Sequence, residues 1–129
     1  MNMSDRLRPE NMIFHITTRV AWEEAQTQGE YTAPSLSVEG FIHCSTISQI
    51  LPVAENFYKG QKGLVLLVID PALLSSALQW EAPSEHIPHV GVPEGEKFPH
   101  IYGPINLNVV VKVVDFKENE SGEFILPTI

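Results

Sequence analysis

Three stretches of the chain place a histidine two residues before a hydroxyl and next to an apolar residue: Phe14-His15-Ile16-Thr17, Ile42-His43-Cys44-Ser45 and Pro99-His100-Ile101-Tyr102. In a strand, residues two apart share a face. Each histidine would then share a face with its hydroxyl, while Ile16, Cys44 and Ile101 turn into the core. Three such strands side by side would build a polar wall inside an apolar fold. Imidazole supplies a donor or an acceptor near neutral pH, and the hydroxyl beside it orients the ring or binds a ligand oxygen. One strand histidine is more often a satisfied structural residue. Recurrence of the pattern is what points to a site.

Other residues join the list with bland alternatives beside them. Glu81 follows Trp80 at a strand end, just before a long irregular stretch. There it serves as a general base, as an acceptor for a ribose hydroxyl, or as an ordinary surface carboxylate. Trp22 is a stacking platform for a ring or a core residue. Cys44, expected to point inward, reads as a buried spectator rather than a nucleophile. His86 and His89 read as solvated, or as groups that close over a ligand. The chain has no phosphate-cradling glycine loop, no Gly-x-Ser-x-Gly, no Cys-x-x-Cys and no His-Glu-x-x-His.

The elements that must carry these residues are legible in outline. Residues 1–11 are polar and read as a flexible arm, with one domain over 12–129. Met12–Thr17 reads as a strand. A helix follows from Arg19 to Gln28, capped by Thr17 or Thr18 and stopped by Gly29. Residues 31–39 read as loop, and 40–45 as a second strand. Ile50, Val53, Ala54 and Phe57 fall at helical spacing. Thr46 and Gln49 have capping-box spacing, and Pro52 favours a late helix start. Residues 63–70 read as a central strand, apolar on both faces. Asp70-Pro71 opens a short turn. Strands are expected over 78–82, 98–102 and 109–116, and 123–126 would close a hairpin. Pro83 to Lys97 is irregular, and a loop of that length is more often functional than decorative. Strands and helices mix without regular alternation. The expected fold class is therefore α+β, with helices on a curved, largely antiparallel sheet.

Composition sets bounds. A chain of 129 residues with 43% hydrophobic content suits one domain with a real core. Its net charge of −8, with only eight basic residues, argues against binding duplex nucleic acid or an anionic membrane. No stretch approaches the roughly 20 apolar residues of a membrane span. Residues 1–8 lack the apolar core of a signal peptide, and the single cysteine forms no internal bridge. A cytoplasmic protein is expected, in which the Asn119-Glu-Ser121 sequon is idle.

The series His15-Ile-Thr17, Glu39-Gly-Phe-Ile-His-Cys-Ser45, Trp80-Glu81, Phe98-Pro-His-Ile-Tyr-Gly-Pro104 and Gly122-x-Phe124-x-Leu-Pro127 resembles the domain-of-unknown-function 952 family. The resemblance runs from about Ile13 to Pro127. That family in turn looks like a distant member of the ADP-ribosyltransferase-like superfamily, because His15-x-Thr17 is similar to the His-Gly-Thr opening that group's NAD site. The resemblance implies an ADP-ribosyltransferase-like fold and NAD as cofactor. His15 would bond the nicotinamide ribose, Thr17 would support the strand, and His43 and Ser45 would stand across the cleft. No tyrosine occupies that second position here, and the glutamate of the polymerase branch has Glu81 as its leading counterpart, with Tyr102 compensating.

Three readings follow. One is an enzyme, ADP-ribosyltransferase-like or RNA 2′-phosphotransferase-like, acting on NAD or on an ADP-ribose or phosphate ester. It would use His15, His43, Glu81, His100 and Tyr102 in catalysis, and His15, Thr17, Ser45 and Trp22 in cofactor binding. Another is a non-catalytic module that binds a small nucleotide-type molecule. The third is a metal site in which His15, His43 and His100 form a facial set.

Overall fold

The computed structural model describes residues 7–83 and 91–129. Strand β1 (Ile13–Thr18) runs directly into helix α1 (Arg19–Gln28). The Thr18 hydroxyl makes the junction by accepting the Ala21 N–H at 3.0 Å. Gly29, at φ 90°, closes the helix in the left-handed conformation.

β4 (Leu64–Ile69) is the central strand expected from its unbroken apolar run. It lies between β1 and β8 (Val110–Phe116) in a three-stranded antiparallel sheet, and all six of its residues are buried. Its alternate residues divide the core in two. Val65, Leu67 and Ile69 pack with Ile13, Trp22, Tyr31, Ile42, Cys44 and Ile101. Leu64, Leu66 and Val68 pack with Phe14, Ile16, Ile50, Ala54, Phe116 and Phe124.

A second antiparallel sheet has the order β3-β6-β5, formed by β3 (Ile42–His43), β6 (Phe98–Tyr102) and β5 (Ala77–Glu81). A two-stranded ribbon joins β2 (Glu30–Tyr31) to β7 (Ile105–Asn106). Helix α2 (Pro34–Glu39) precedes β3, and α3 (Ile50–Phe57) follows it. The architecture is α+β with antiparallel sheets and few helices. Among the described residues, no helix is long and apolar enough to cross a membrane.

Residues 31–39 are not loop: they hold the end of β2 and all of α2, which starts on Pro34 and is closed by Gly40 at φ 90°. Residues 123–126 close the expected hairpin in short form: one Glu118–Phe124 bridge, flanked by the Asn119 N–H to the Glu123 carbonyl at 2.8 Å and the Ile125 N–H to the Lys117 carbonyl at 3.1 Å. Phe124 sits at the non-hydrogen-bonded position of that bridge, so its N–H points outward, to the Glu55 carboxylate at 3.1 Å. Within the expected N-terminal arm, Pro9–Asn11 forms a 3₁₀ turn.

Candidate functional site

Among the described residues, one main-chain bridge joins the two main sheets. Phe14 and Ser45 exchange both main-chain hydrogen bonds at 2.8 Å, so the chain after β3 crosses from β6 onto the free edge of β1. This contact decides which side chains can meet. Register between the strands sets Phe14 beside Ser45, so Phe14 and Ile16 share a face with His43 and Ser45. His15 and Thr17 then lie on the opposite face, with Cys44. A single residue of register separates the two arrangements. The polar wall of three histidines is not formed, for this reason.

His15 sits instead in a closed, buried network. Its Nδ1 lies 2.6 Å from the His43 carbonyl, and its Nε2 lies 2.7 Å from the Tyr31 hydroxyl. A carbonyl only accepts, so Nδ1 carries the proton. Burial pulls the imidazole down to about 4, outweighing the His43 carbonyl, which acts the other way. The ring is therefore neutral at pH 7, and Nε2 accepts from the Tyr31 phenol. Tyr31 is in turn 2.9 Å from Thr17 Oγ1, whose hydroxyl hydrogen completes the chain. Burial raises Tyr31 to about 12, so it stays protonated. The bordering cleft reaches His15, Thr17 and Tyr31, but their polar atoms are occupied by one another. Trp22 is 8% exposed and packs in the core, which removes it as a stacking platform. Cys44 is buried too, and burial raises its thiol.

His43 and His100 face each other across β3 and β6, as a directly opposed pair. Their ring centroids are 5.5 Å apart. The His43 Nε2 pairs with the Glu39 carboxylate at the end of α2. The His100 Nδ1 pairs with Glu81 Oε1 at 2.9 Å, and the Tyr102 hydroxyl donates to the same oxygen at 2.5 Å. Glu81 reaches both because residues 98, 100 and 102 of β6 share its face of the sheet. These two donors hold Glu81 below the usual carboxylate range, Tyr102 more than His100. The same bond raises the Tyr102 phenol. His100 is lowered, chiefly by burial and against the pull of Glu81. Phe41 stacks on the His100 ring with centroids 4.1 Å apart.

This cluster opens onto a cleft of about 400 Å³. His43, His100, Ser45 and Glu39 give it polar groups, and Phe14, Ile16, Val53, Phe57 and Phe98 give it apolar walls. A second cleft of about 430 Å³ shares Ile16, His43 and Tyr58 with the first and is rich in hydroxyls, including Thr32 and Ser35. The two meet where β1 and β3 part beyond the Phe14–Ser45 bridge. Phe14 turns both main-chain polar groups toward Ser45, so by strand alternation Ile16 turns its N–H and C=O toward this same split. Neither has a partner among the described residues.

Of the sequence-derived candidates, the fold brings His43, Ser45 and His100 to one cleft, and Glu81 and Tyr102 join them through the Glu81 carboxylate on His100. It sets His15 and Thr17 behind it, as the support of the His43 main chain. A facial set of three histidines does not assemble, because both ring nitrogens of His15 are already bonded. Among the described residues no group of three His, Cys, Asp or Glu is placed to hold a metal ion. His86 and His89 lie outside the described residues. Glu39, Phe41 and Tyr31 went unsingled in the sequence. Only Glu39 carried a signal, its spacing of four before His43.

A model of the family described as "Protein of unknown function (DUF952)" matches residues 16–113, and the chain belongs to that family. Among solved structures, the crystal structure of protein CC0527 from Caulobacter crescentus is 30% identical, with a TM-score of 0.76 over 89% of this chain and 94% of that one. The solution structure of CC0527 is also 30% identical, with a TM-score of 0.69 over 87% of this chain and 90% of that one. Among curated proteins, none matches this chain significantly.

Proposed function

We propose that this member of the DUF952 family is an acid–base enzyme for small, largely apolar ligands, with His100 as its proton-transfer group. One observation carries the reading. Glu81 holds the Nδ1 side of His100 at 2.9 Å, while Nε2 has no partner among the described residues and the ring lines the cleft. The carboxylate selects the tautomer in which Nδ1 carries the proton, which leaves the Nε2 lone pair for a ligand. Burial keeps that base unprotonated near neutral pH. His43, paired with Glu39, stands opposite as a second polar group at the same ligand. Among the described residues neither cleft is lined by a lysine or arginine, so uncharged or cationic ligands suit the site better than phosphates.

The test is a thermal-shift screen of uncharged ring-bearing compounds against wild type and His100→Gln. A ligand at a hundredfold over its dissociation constant stabilises by about 2.7 kcal/mol. A hit is expected to lose its shift in His100→Gln and to weaken in Glu81→Gln. If every hit survives both substitutions unchanged, the reading fails.

A second reading follows the family resemblance: an ADP-ribosyltransferase-like or RNA 2′-phosphotransferase-like enzyme that binds NAD or an ADP-ribose or phosphate ester. The open N–H and C=O of Ile16 favour it, since a carboxamide such as that of nicotinamide presents the complementary donor and acceptor. The occupied nitrogens of His15 and the lack of cations for a diphosphate weigh against it. An NAD-induced thermal shift that disappears in His15→Ala would turn the assignment to this reading.

A further inference from the structure

We propose that Ser45 is a nucleophile served by His100 and Glu81, making the cleft an acyl-transfer site for esters or thioesters of apolar acids. The proposal rests on the reading of His100 as a base.

Register places the three residues. His43 opposes His100, and Cys44 N–H donates to the Pro99 carbonyl at 3.0 Å, so position 45 falls across from Phe98. Glu81 opposes Phe98 from the other side. Ser45, His100 and Glu81 therefore lie on one face of the sheet, with Ser45 and Glu81 flanking Phe98 in one row and His100 diagonal to both. Diagonal cross-strand neighbours stand about 7–8 Å apart, within reach of a long side chain such as histidine. Ser45 and His100 both line the first cleft.

Ser45 is also held and unused. It is 5% exposed, and both its main-chain groups are tied to Phe14 at 2.8 Å, which fixes its Cα. Its hydroxyl has no hydrogen-bond partner among the described residues. The order Glu81 carboxylate, His100 Nδ1–H, His100 Nε2, serine hydroxyl is the order that activates a serine, with Nε2 as base and the carboxylate as the group that orients it. Nucleophile–base hydrogen bonds are often long before substrate arrives and tighten in the complex. The free N–H of Ile16, at the adjoining split, is the available donor to an oxyanion. Phe14, Val53, Phe57 and Phe98 form the wall against which an apolar acyl group would rest.

The step balances. The Ser45 oxygen bonds to the carbonyl carbon as its proton passes to His100 Nε2, and the carbonyl electron pair moves onto oxygen beside the Ile16 N–H. Collapse of that adduct breaks the bond to the alcohol or thiol, which leaves with the proton from His100. Water then attacks the acyl-serine, giving its proton to His100. The acid departs and Ser45 regains a proton.

The experiment treats the purified full chain with an alkyl fluorophosphonate, and separately with p-nitrophenyl esters of short fatty acids. Wild type, Ser45→Ala and His100→Gln are compared, with adducts mapped by mass spectrometry and folding checked by melting temperature. The expected result is one phosphonyl adduct on Ser45, absent in Ser45→Ala and formed roughly 10²-fold more slowly in His100→Gln. No adduct on wild type, or one mapped to another residue, overturns the nucleophile. So does ester turnover that persists in Ser45→Ala yet is lost in His100→Gln; in that case His100 acts on water and the acid–base reading stands. Turnover indifferent to both substitutions overturns both.

Discussion

His15 and His100 are both lowered by burial, and they differ in what their second nitrogen meets. At His100 that nitrogen opens to the cleft, whereas at His15 the Tyr31 hydroxyl occupies it at 2.7 Å. Tyr31→Phe would leave the buried His15 Nε2 without its donor, and is expected to cost about 1–3 kcal/mol in urea unfolding. The pH dependence follows from the His15 shift from 6.5 to about 4. The unfolded chain takes up this proton as pH falls through 6.5, while the folded protein resists until about 4. Stability from this group is therefore present above pH 6.5 and lost progressively down to pH 4, by about 3 kcal/mol at most. His15→Gln should start from lower stability at pH 7 and show a shallower fall across that window. Parallel slopes in the two proteins would refute the assignment.

Among the elements, the start of α3 has a structural task that bears on the cleft. Buried Gln49 accepts the Thr46 N–H at 3.0 Å and donates to Glu96 Oε1 at 2.7 Å and to the Lys97 carbonyl at 2.8 Å. One side chain thus ties residues 96 and 97, just before β6, to the helix that supplies Val53 and Phe57 to the cleft wall. The Thr46–Gln49 half of this arrangement was legible as capping-box spacing, since it is local. Its tie to residues 96 and 97 was not, because nothing in a sequence shows which distant carbonyl an amide will meet. Gln49→Ala leaves the Thr46 N–H and the Lys97 carbonyl without these partners. A loss of about 2–3 kcal/mol is expected, with faster proteolytic cutting between residues 91 and 97. An unchanged cutting rate would show that the segment is held by other contacts.

For the molecule as a whole, β4 separates two cores that serve different purposes. Leu66 belongs to the cluster of Phe14 and Ile16, which also line the cleft, and Leu67 to the cluster around Cys44 and Tyr31. Leu66→Ala and Leu67→Ala should each cost about 2–5 kcal/mol in chemical denaturation. Only Leu66→Ala is expected to change the ligand responses of the cleft, because its cavity opens beneath Phe14. Equal effects of both substitutions on ligand binding would mean that the two cores are not independent.

The sequence by itself determined features that depend on neighbours in the chain. α1 runs from Arg19 to Gln28 as its Thr18 cap and Gly29 stop require, β4 is buried on both faces, and each histidine shares a strand face with the residue two positions on. Local chemistry also explains what escaped: α2 hides in a hydroxyl-rich stretch, with Pro34 as its start. Only the tertiary structure decided which strands lie together and in what register. Alternation assigns His15 and Ile16 to opposite faces but is silent on which face meets His43. The Phe14–Ser45 bridge settles that, sending Ile16 to the cleft and His15 to the core. Glu81 meets His100 and Tyr102 because β5 pairs with β6, a long-range choice that no local pattern in either strand encodes.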